Sequence, residues 1–353
     1  MIFFSVITQD TRSPPVPPVS YFVKLASIEI VKELQAHPNA DRLELAKVSG
    51  WQCVVKKGEF MQGQQVLFVT IDTVLPRASW SEFLADKVDK GKQIRLKTVK
   101  LRGEYSQGLV LPVSILEERG IDTTRLKIGD DVSESMGVRK YEKEVPAGLT
   151  GIALGPFPSH ICAATDEENG LGDEELVKEV LARRTTVTRK LDGSSCTVVV
   201  NNGIITHVCS RRLVLQETEE SGFWKVARQL ELGKIGEGRI VIQGELMGPK
   251  VQGNQLRLKS AELHVFQIQV NGEFLSHQEM REFCEKKLKC PAVPLLGHFG
   301  PEMSLEEFQA FADEQRLDNG EPAEGIVIRP CDYPKAGSGR PLGFKLINRN
   351  YRD

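Results

Sequence analysis

The chain of 353 residues is 40% hydrophobic and 27% charged, with 15 Phe and no low-complexity tract, which excludes wholesale disorder and suits two domains. Lys and Arg number 46 against 48 Asp and Glu, a net charge of −2, so any nucleic-acid surface must be a local patch. No run approaches the roughly 18 apolar residues of a membrane span. Cys53, Cys162, Cys196, Cys209, Cys284, Cys290 and Cys331 are scattered without a C-x-x-C pair, and the His residues lack ligand spacing. A secreted disulfide framework and an ordinary zinc site are therefore not expected. Met1 to Ser20 reads as a loose Pro-rich arm without the marks of a targeting peptide, and an intracellular, cytoplasmic protein is expected.

From Tyr21 to about Val113 the pattern is nearly all β. Strands are expected at Val23–Leu34, Leu43–Lys56, Gln65–Leu75 and Gln93–Pro112, with a helical patch near Ser79–Leu84. This density of short strands suggests a small closed barrel of the OB type, with the long last run bent into two. Lys87, Lys90, Lys92, Arg95, Lys97, Lys100 and Arg102 crowd one stretch. Ile94 and Leu96, then Val99 and Leu101, alternate with these cations, and the parity slips at Thr98 as at a β-bulge. One face is expected to be core and the other a line of cations, either simply solvated or bound to a nucleic-acid backbone.

A polar connector over Gly129–Gly151 leads to mixed α and β grammar. Asp173–Arg184 and Phe223–Leu232 have helical spacing, and S-x-x-E capping boxes at Ser276 and Ser304 open two more helices. Between them lie β runs at Thr185–Lys190, Cys196–Val200, Ile204–Cys209, Arg239–Gly244, Leu263–Val270, Gly325–Arg329 and Leu342–Ile347. Without strict βαβ alternation, these predict an α+β domain of antiparallel sheets flanked by helices.

The sharpest local feature is Lys190-Leu191-Asp192-Gly193-Ser194-Ser195, directly after a β run. Lys190 and Asp192, two apart on an extended chain, point to one side, and Gly193 permits a tight turn and close approach of a ligand. The alternative is a strand end with an incidental ion pair. Glu245 ends a largely apolar strand and Glu324-Gly325 opens another. Lys345 sits inside a final apolar strand, where it either faces water on an edge or meets an anion. With Arg211 and Arg212, such a set could hold a nucleotide, cations on phosphates and carboxylates on metal and ribose.

In order, KLDGSS at Lys190, SRR at Ser210–Arg212, GEL at Gly244–Leu246, VFQI at Val265–Ile268, EGIVIR at Glu324–Arg329 and FKLIN at Phe344–Asn348 resemble the motifs of the covalent nucleotidyltransferases. Within that superfamily the chain resembles the Deinococcus and Naegleria type of ATP-dependent RNA ligase, which carries an N-terminal OB domain. VPAGLTGIALGPFPS from Val145, TDEE from Thr165, FWKVARQ from Phe223 and QGELMGPKVQGN from Gln243 extend the likeness over most of residues 21–350. The chain departs from the family pattern at Asn169–Gly172 and at Arg212.

The resemblance implies an arm over 1–20, an RNA-binding OB-like domain over 21–128, a linker over 129–145 and a nucleotidyltransferase domain over 146–353. Lys190 would take AMP from ATP as a phosphoramidate, its amine made nucleophilic by nearby cations such as a divalent metal, Lys345 and Arg211. Arg211 and Glu245 would bind the ribose, Phe266 would stack on adenine, and Gly193 would belong to the nucleotide pocket; Phe266 is otherwise a core residue of an apolar run. Asp192, Glu245 and Glu324 would hold Mg or Mn, and Lys345 would stabilise charge on the departing pyrophosphate. The expected substrate is RNA with 3′-OH and 5′-phosphate ends, as in a nicked duplex held by Arg95, Lys97, Lys100 and Arg102, with the protein a monomer.

Two rivals share part of this reading. A capping-type guanylyltransferase uses the same lysine chemistry with GTP, but its OB domain normally follows the catalytic domain. His37–Leu43 and Leu101–Gly108 resemble strings of tRNA-binding OB domains, which would leave the second half a decayed transferase; the intact Lys190, Asp192, Glu245, Glu324 and Lys345 argue against decay.

Overall fold

A computed structural model describes residues 24–85, 93–142, 147–335 and 339–351. The expected arm and Lys87, Lys90 and Lys92 lie outside these residues. β1 (Ala26–Ala36) is long enough to serve two partners. Its C-terminal part pairs with β2 (Leu43–Val48), which returns through a tight turn into β3 (Trp51–Lys56), and its N-terminal part pairs with β4 (Gln65–Val69). The switch of partner falls at a register shift between Val31 and Glu33, where an extra residue bends the strand.

The chain continues through β5 (Thr73–Leu75), β6 (Ile94–Arg95), β7 (Val99–Leu101), β8 (Glu104–Ser106) and β9 (Leu109–Pro112). β9 closes the order β3-β2-β1-β4-β9, and hydrogen bonds from Gln107 N to Gln52 O (2.8 Å) and from Val54 N to Ser106 Oγ (3.0 Å) draw the curled sheet together. The first half is thus the expected OB fold, with three of the four predicted runs divided by turns.

The cation row is not one strand face. Ile94 and Leu96 are buried, but Val99 and Leu101 are 46% and 42% exposed, against expectation. β7 and β8 form a separate two-stranded ribbon turning at Arg102 (φ 52°) and Gly103 (φ 98°), a reversal that favours glycine. Ladder pairing stops between Arg95 and Val99, so the alternation that joined them in sequence carries no shared sheet.

The expected linker is also built in as far as β10 (Arg139–Lys140), which pairs with β5. Gly129 N donates to Ile28 O (2.6 Å) and Val132 N to Ala26 O (2.9 Å), while Val132, Met136 and Val138 are buried in the OB core. Residues 143–145 lie outside the described residues.

The second half holds two sheets. The strands β11 (Ala153–Pro156), β12 (Glu168–Asn169), β13 (Thr185–Lys190), β14 (Ser194–Asn201), β15 (Ile204–Cys209), β16 (Leu213–Leu215), β17 (Arg239–Met247), β18 (Glu262–Val270), β19 (Glu273–Phe274), β20 (Leu295–Phe299), β21 (Gly325–Pro330) and β22 (Phe344–Ile347) distribute as β11-β16-β15-β14-β17-β18-β19 and β12-β22-β21-β13-β20. All pairings are antiparallel except β12 with β22.

Side-chain alternation assigns the faces. Cys196, Val198 and Val200 of β14 pack with Ile240, Ile242 and Leu246 of β17 against the helix Gly222–Gln229, whose Phe223, Val226 and Ala227 recur at helical spacing. In the other sheet Val187, Ile326, Ile328, Phe344 and Leu346 pack against the helices Glu174–Leu181 and Leu305–Glu314. Ser276 and Ser304 both form the predicted capping boxes.

That second core does not stop at the second half. Trp51, Val48, Phe68 and Val110 of the OB fold belong to the same buried cluster as Leu171, Leu176, Val187 and Phe344. At the joint Gly50 N donates to Leu171 O (3.3 Å) and Lys32 pairs with Glu174.

Candidate active site

The faces turned away from the helices look into one cleft of about 1480 Å³, lined by Thr188, Lys190, Val327, Lys345 and Ile347 from one sheet and by Ser195, Glu245 and Phe266 from the other. Register explains the meeting. Thr188 opposes Val327 and Val327 opposes Lys345, so alternation sets Lys190 and Lys345 on the same face. β22 lies between β12 and β21, so Lys345 is not on an edge.

Lys190 ends β13 and its Nζ lies 2.7 Å from both Glu324 oxygens. Burial disfavours the ammonium, but Glu324, Glu245 and Glu167 outweigh it and hold the amine above its ordinary value. Without nucleotide or metal, Glu324 is the partner of Nζ, while Lys345 and Arg211 are engaged by Asp166.

Glu245 is inside β17 rather than at its end, and its Oε1 accepts from Gly193 N (3.0 Å). Burial pushes Glu245 up to about 8, with Glu324 and Asp192 adding to it against the pull of Lys190 and the Gly193 N–H. Gly193 lines the cleft and is also closely packed: a Cβ there would fall 2.4 Å from Leu246 O and 2.5 Å from Met247 Sδ. Asp192 lies in the β13–β14 loop, and its Oδ2 accepts from Tyr351 OH (2.5 Å) and Gln255 Nε2 (3.4 Å). Phe266 is half-buried against Leu191, Met247 and Val293 and also lines the cleft.

The organiser of the cations is Asp166, which sequence reasoning quoted within TDEE but assigned no part. It pairs with Lys140 (3.0 Å), Arg211 (2.5 Å) and Lys345 (3.4 Å). Burial raises its carboxyl, but Lys345, Arg211 and Lys140 prevail and hold it well below the usual carboxylate range. Its neighbour Glu167 pairs with the buried Arg329, whose Nη1 donates to Phe266 O (3.2 Å). At the departures from the family pattern, Asn169 Oδ1 accepts from Leu171 N (3.0 Å) and Arg212 pairs with Glu142 (2.8 Å). The only signal for Asp166 and Glu167 was a run of acids; Tyr351 and Gln255 carried none.

Arg95, Lys97 and Lys100 line the OB side of this cleft, while Arg102 sits at the ribbon turn outside the lining. Arg95 is held by Asp72 (2.6 Å) and stacks 3.8 Å from the Tyr141 ring centroid, and Lys100 lies 4.7 Å from that of Tyr105. Among the described residues no group of three or more His, Cys, Asp or Glu converges closely enough to hold a metal ion by itself. None of the described helices is long and apolar enough to cross a membrane.

An OB fold followed by antiparallel sheets that sink a strand-end lysine among carboxylates and cations is the architecture of a nucleotidyltransferase. A family model for an OB-fold domain matches residues 25–113, and the RNA ligase model matches residues 183–346. Among solved structures, a mutant apo form of Naegleria gruberi RNA ligase is 30% identical, covering 94% of this chain and 98% of its own, with a TM-score of 0.80. The same ligase with PPi is 31% identical over 93% and 97% with a TM-score of 0.79, and a mutant with ATP and Mn is 30% identical over 93% and 98% with a TM-score of 0.80. The chain belongs to the RNA ligase family. Compared with curated protein sequences, it finds no match.

Proposed function

We propose that the protein is an ATP-dependent RNA ligase that joins a 3′-OH to a 5′-phosphate, with nicks in duplex RNA as its substrate, through lysyl–AMP and RNA–adenylate intermediates. The observation that carries the reading is Lys190 at the end of β13, paired with Glu324 on the floor of a cleft that Lys345 and Arg211 also reach. In the first step Lys190 Nζ gives up a proton and forms an N–P bond to the α-phosphorus as the bond to pyrophosphate breaks. In the second the RNA 5′-phosphate takes the adenylyl group and frees the lysine; in the third the RNA 3′-OH displaces AMP.

The donor set fits a metal that arrives with a nucleotide. Asp192, Glu245 and Glu324 offer only oxygen, which suits Mg or Mn, and such ions are commonly held by one or two carboxylates with substrate phosphates completing the shell. When bound, the metal would supply charge for the phosphates. Glu324 would then release Lys190, Glu245 and Arg211 would hold the ribose beside Gly193, Phe266 would stack on the base, and Lys345 would meet the departing pyrophosphate. A cleft of about 1480 Å³ exceeds the usual small-ligand pocket of roughly 300–1,000 Å³. Arg95, Lys97 and Lys100 are among its lining residues, which supports an RNA path along the OB side, with Arg102 at the nearby ribbon turn.

The test is incubation with radiolabelled ATP or GTP followed by a denaturing gel. A labelled protein with ATP, lost in Lys190→Met, is the expected result. Label from GTP instead favours the capping reaction, no label favours a binding protein, and an adduct on Lys190→Met removes Lys190 from its part.

A further inference from the structure

The four residues after β22 form a strap that sequence reasoning left without a task. Asn348 is 1% exposed, and its Nδ2 donates to Gln315 O (3.1 Å) and Ala323 O (3.0 Å) while its backbone N–H donates to Glu324 O (2.9 Å). Arg349 grips Asp313 on the helix Leu305–Glu314 through its backbone N–H (2.7 Å) and its guanidinium (2.5 Å). Tyr351 N then donates back to Asn348 O (2.9 Å), a turn that delivers the phenol to Asp192 Oδ2 at 2.5 Å. Gln255 Nε2 reaches both the phenol oxygen (2.6 Å) and Asp192 Oδ2 (3.4 Å).

The outer side of the strap meets the OB fold. Tyr105 OH donates to Asn350 Oδ1 (2.7 Å), and the Arg349 guanidinium lies 5.3 Å from the Tyr105 ring centroid. One short segment therefore touches the β7–β8 ribbon, the backbone of Glu324 and the side chain of Asp192.

Resting on the reading of Asp192 given above, we propose that Tyr351 is a positioning residue that fixes the Asp192 carboxylate for its ligand. Asp192 stands in a loop beyond the last ladder pair of β13, so nothing in the sheet orients its side chain. Both described hydrogen bonds of its side chain fall on Oδ2, and Asp192 and Tyr351 line the cleft together. A carboxylate with one oxygen clamped keeps a single orientation, and such supporting bonds commonly govern metal affinity by 10- to 100-fold.

Tyr351→Phe keeps the ring and removes the donor. Adenylation of Lys190 is measured against Mn²⁺ concentration, and the half-saturating concentration is expected to rise about 10-fold with the plateau rate within about twofold. Hydrogen–deuterium exchange of the protein without nucleotide or metal is the second readout. Leu191–Ser194 should exchange faster in the variant while the helix Leu305–Glu314 is unchanged. The proposal is overturned if both readouts match the unaltered protein, or if the rate falls equally at every Mn²⁺ concentration with exchange unchanged. Asp192→Ala separates the levels: its inactivity beside a normal Tyr351→Phe overturns only the positioning role, whereas normal adenylation by Asp192→Ala removes the reading beneath it as well.

Discussion

Lys190 Nζ sits 2.7 Å from both oxygens of Glu324, so the proposed nucleophile rests as a paired ammonium rather than a free amine. Burial disfavours the ammonium, but the carboxylate partner Glu324 prevails and the amine is held above its ordinary value. At neutral pH the free-amine fraction is therefore small and grows about tenfold for each pH unit. In the absence of nucleotide and metal, an amine-directed reagent read by mass spectrometry should label Lys190 far more slowly than the exposed Lys259, with its rate still climbing above the ordinary lysine range of about 10.4. Glu324→Gln should move that climb to lower pH. Equal labelling of Lys190 and Lys259 at neutral pH would mean the ion pair does not govern the amine.

Glu245 carries the opposite consequence for stability. Its folded value, about 8, lies above the ordinary 4.5, so the unfolded chain loses this proton first as pH rises. The associated stability is complete below pH 4.5 and declines through the window up to about 8. Glu245→Gln cannot lose the proton. The melting temperature of the unaltered protein should therefore fall relative to that variant between these limits, in scanning calorimetry at matched ionic strength.

Asp166 occupies Lys345 and Arg211, the cations that the proposed reading turns toward the nucleotide. With Lys345 and Arg211 both paired to it, an incoming anion must share them with a carboxylate. Asp166→Asn removes the competing charge at nearly constant volume. Pyrophosphate should then inhibit adenylation about fivefold more tightly, the size expected for loss of a partly exposed charge interaction of ~1 kcal/mol. Weaker inhibition would show that Asp166 orients the cations rather than competes for them.

The shared core makes the two halves interdependent. Trp51 is 2% exposed and belongs to the buried cluster that continues into Leu171 and Phe344. Trp51→Ala should cost about 3–5 kcal/mol in denaturant unfolding, as large buried aromatics do. A fragment starting near Val145 would expose Leu171 and Leu176, so its loss of activity would not by itself locate the RNA surface. If Trp51→Ala unfolds at the unaltered denaturant midpoint, the joint carries little stability.

The cations in and just before the ribbon are better tested by charge. Replacing Lys97, Lys100 and Arg102 together with Ala should flatten the salt dependence of nicked-duplex binding by up to about three units of slope. A slope that does not change would place the RNA elsewhere.

Local sequence determined most of the regular structure. Thr185–Lys190 and Ile204–Cys209 were legible to the residue, and both capping boxes formed, because alternation and N-capping are satisfied by residues a few positions apart. The ordered motifs likewise marked Lys190, Glu245, Glu324 and Lys345, which the strand registers then bring to one cleft. Other relationships had no local signature. Val99 and Leu101 keep a strand-like pattern yet are exposed, since what an apolar side chain meets depends on which strand lies beside it. Residues 129–140 read as polar connector but supply Met136 and Val138 to the OB core. Tyr351 meets Asp192 across 159 positions, and Asp166 gathers cations from β10, β22 and the Arg211 loop. Periodicity reports which side a residue takes within its own element; which charge stands opposite is decided only when distant elements pack, and that packing turns the Lys190 amine from a free group into a paired ammonium.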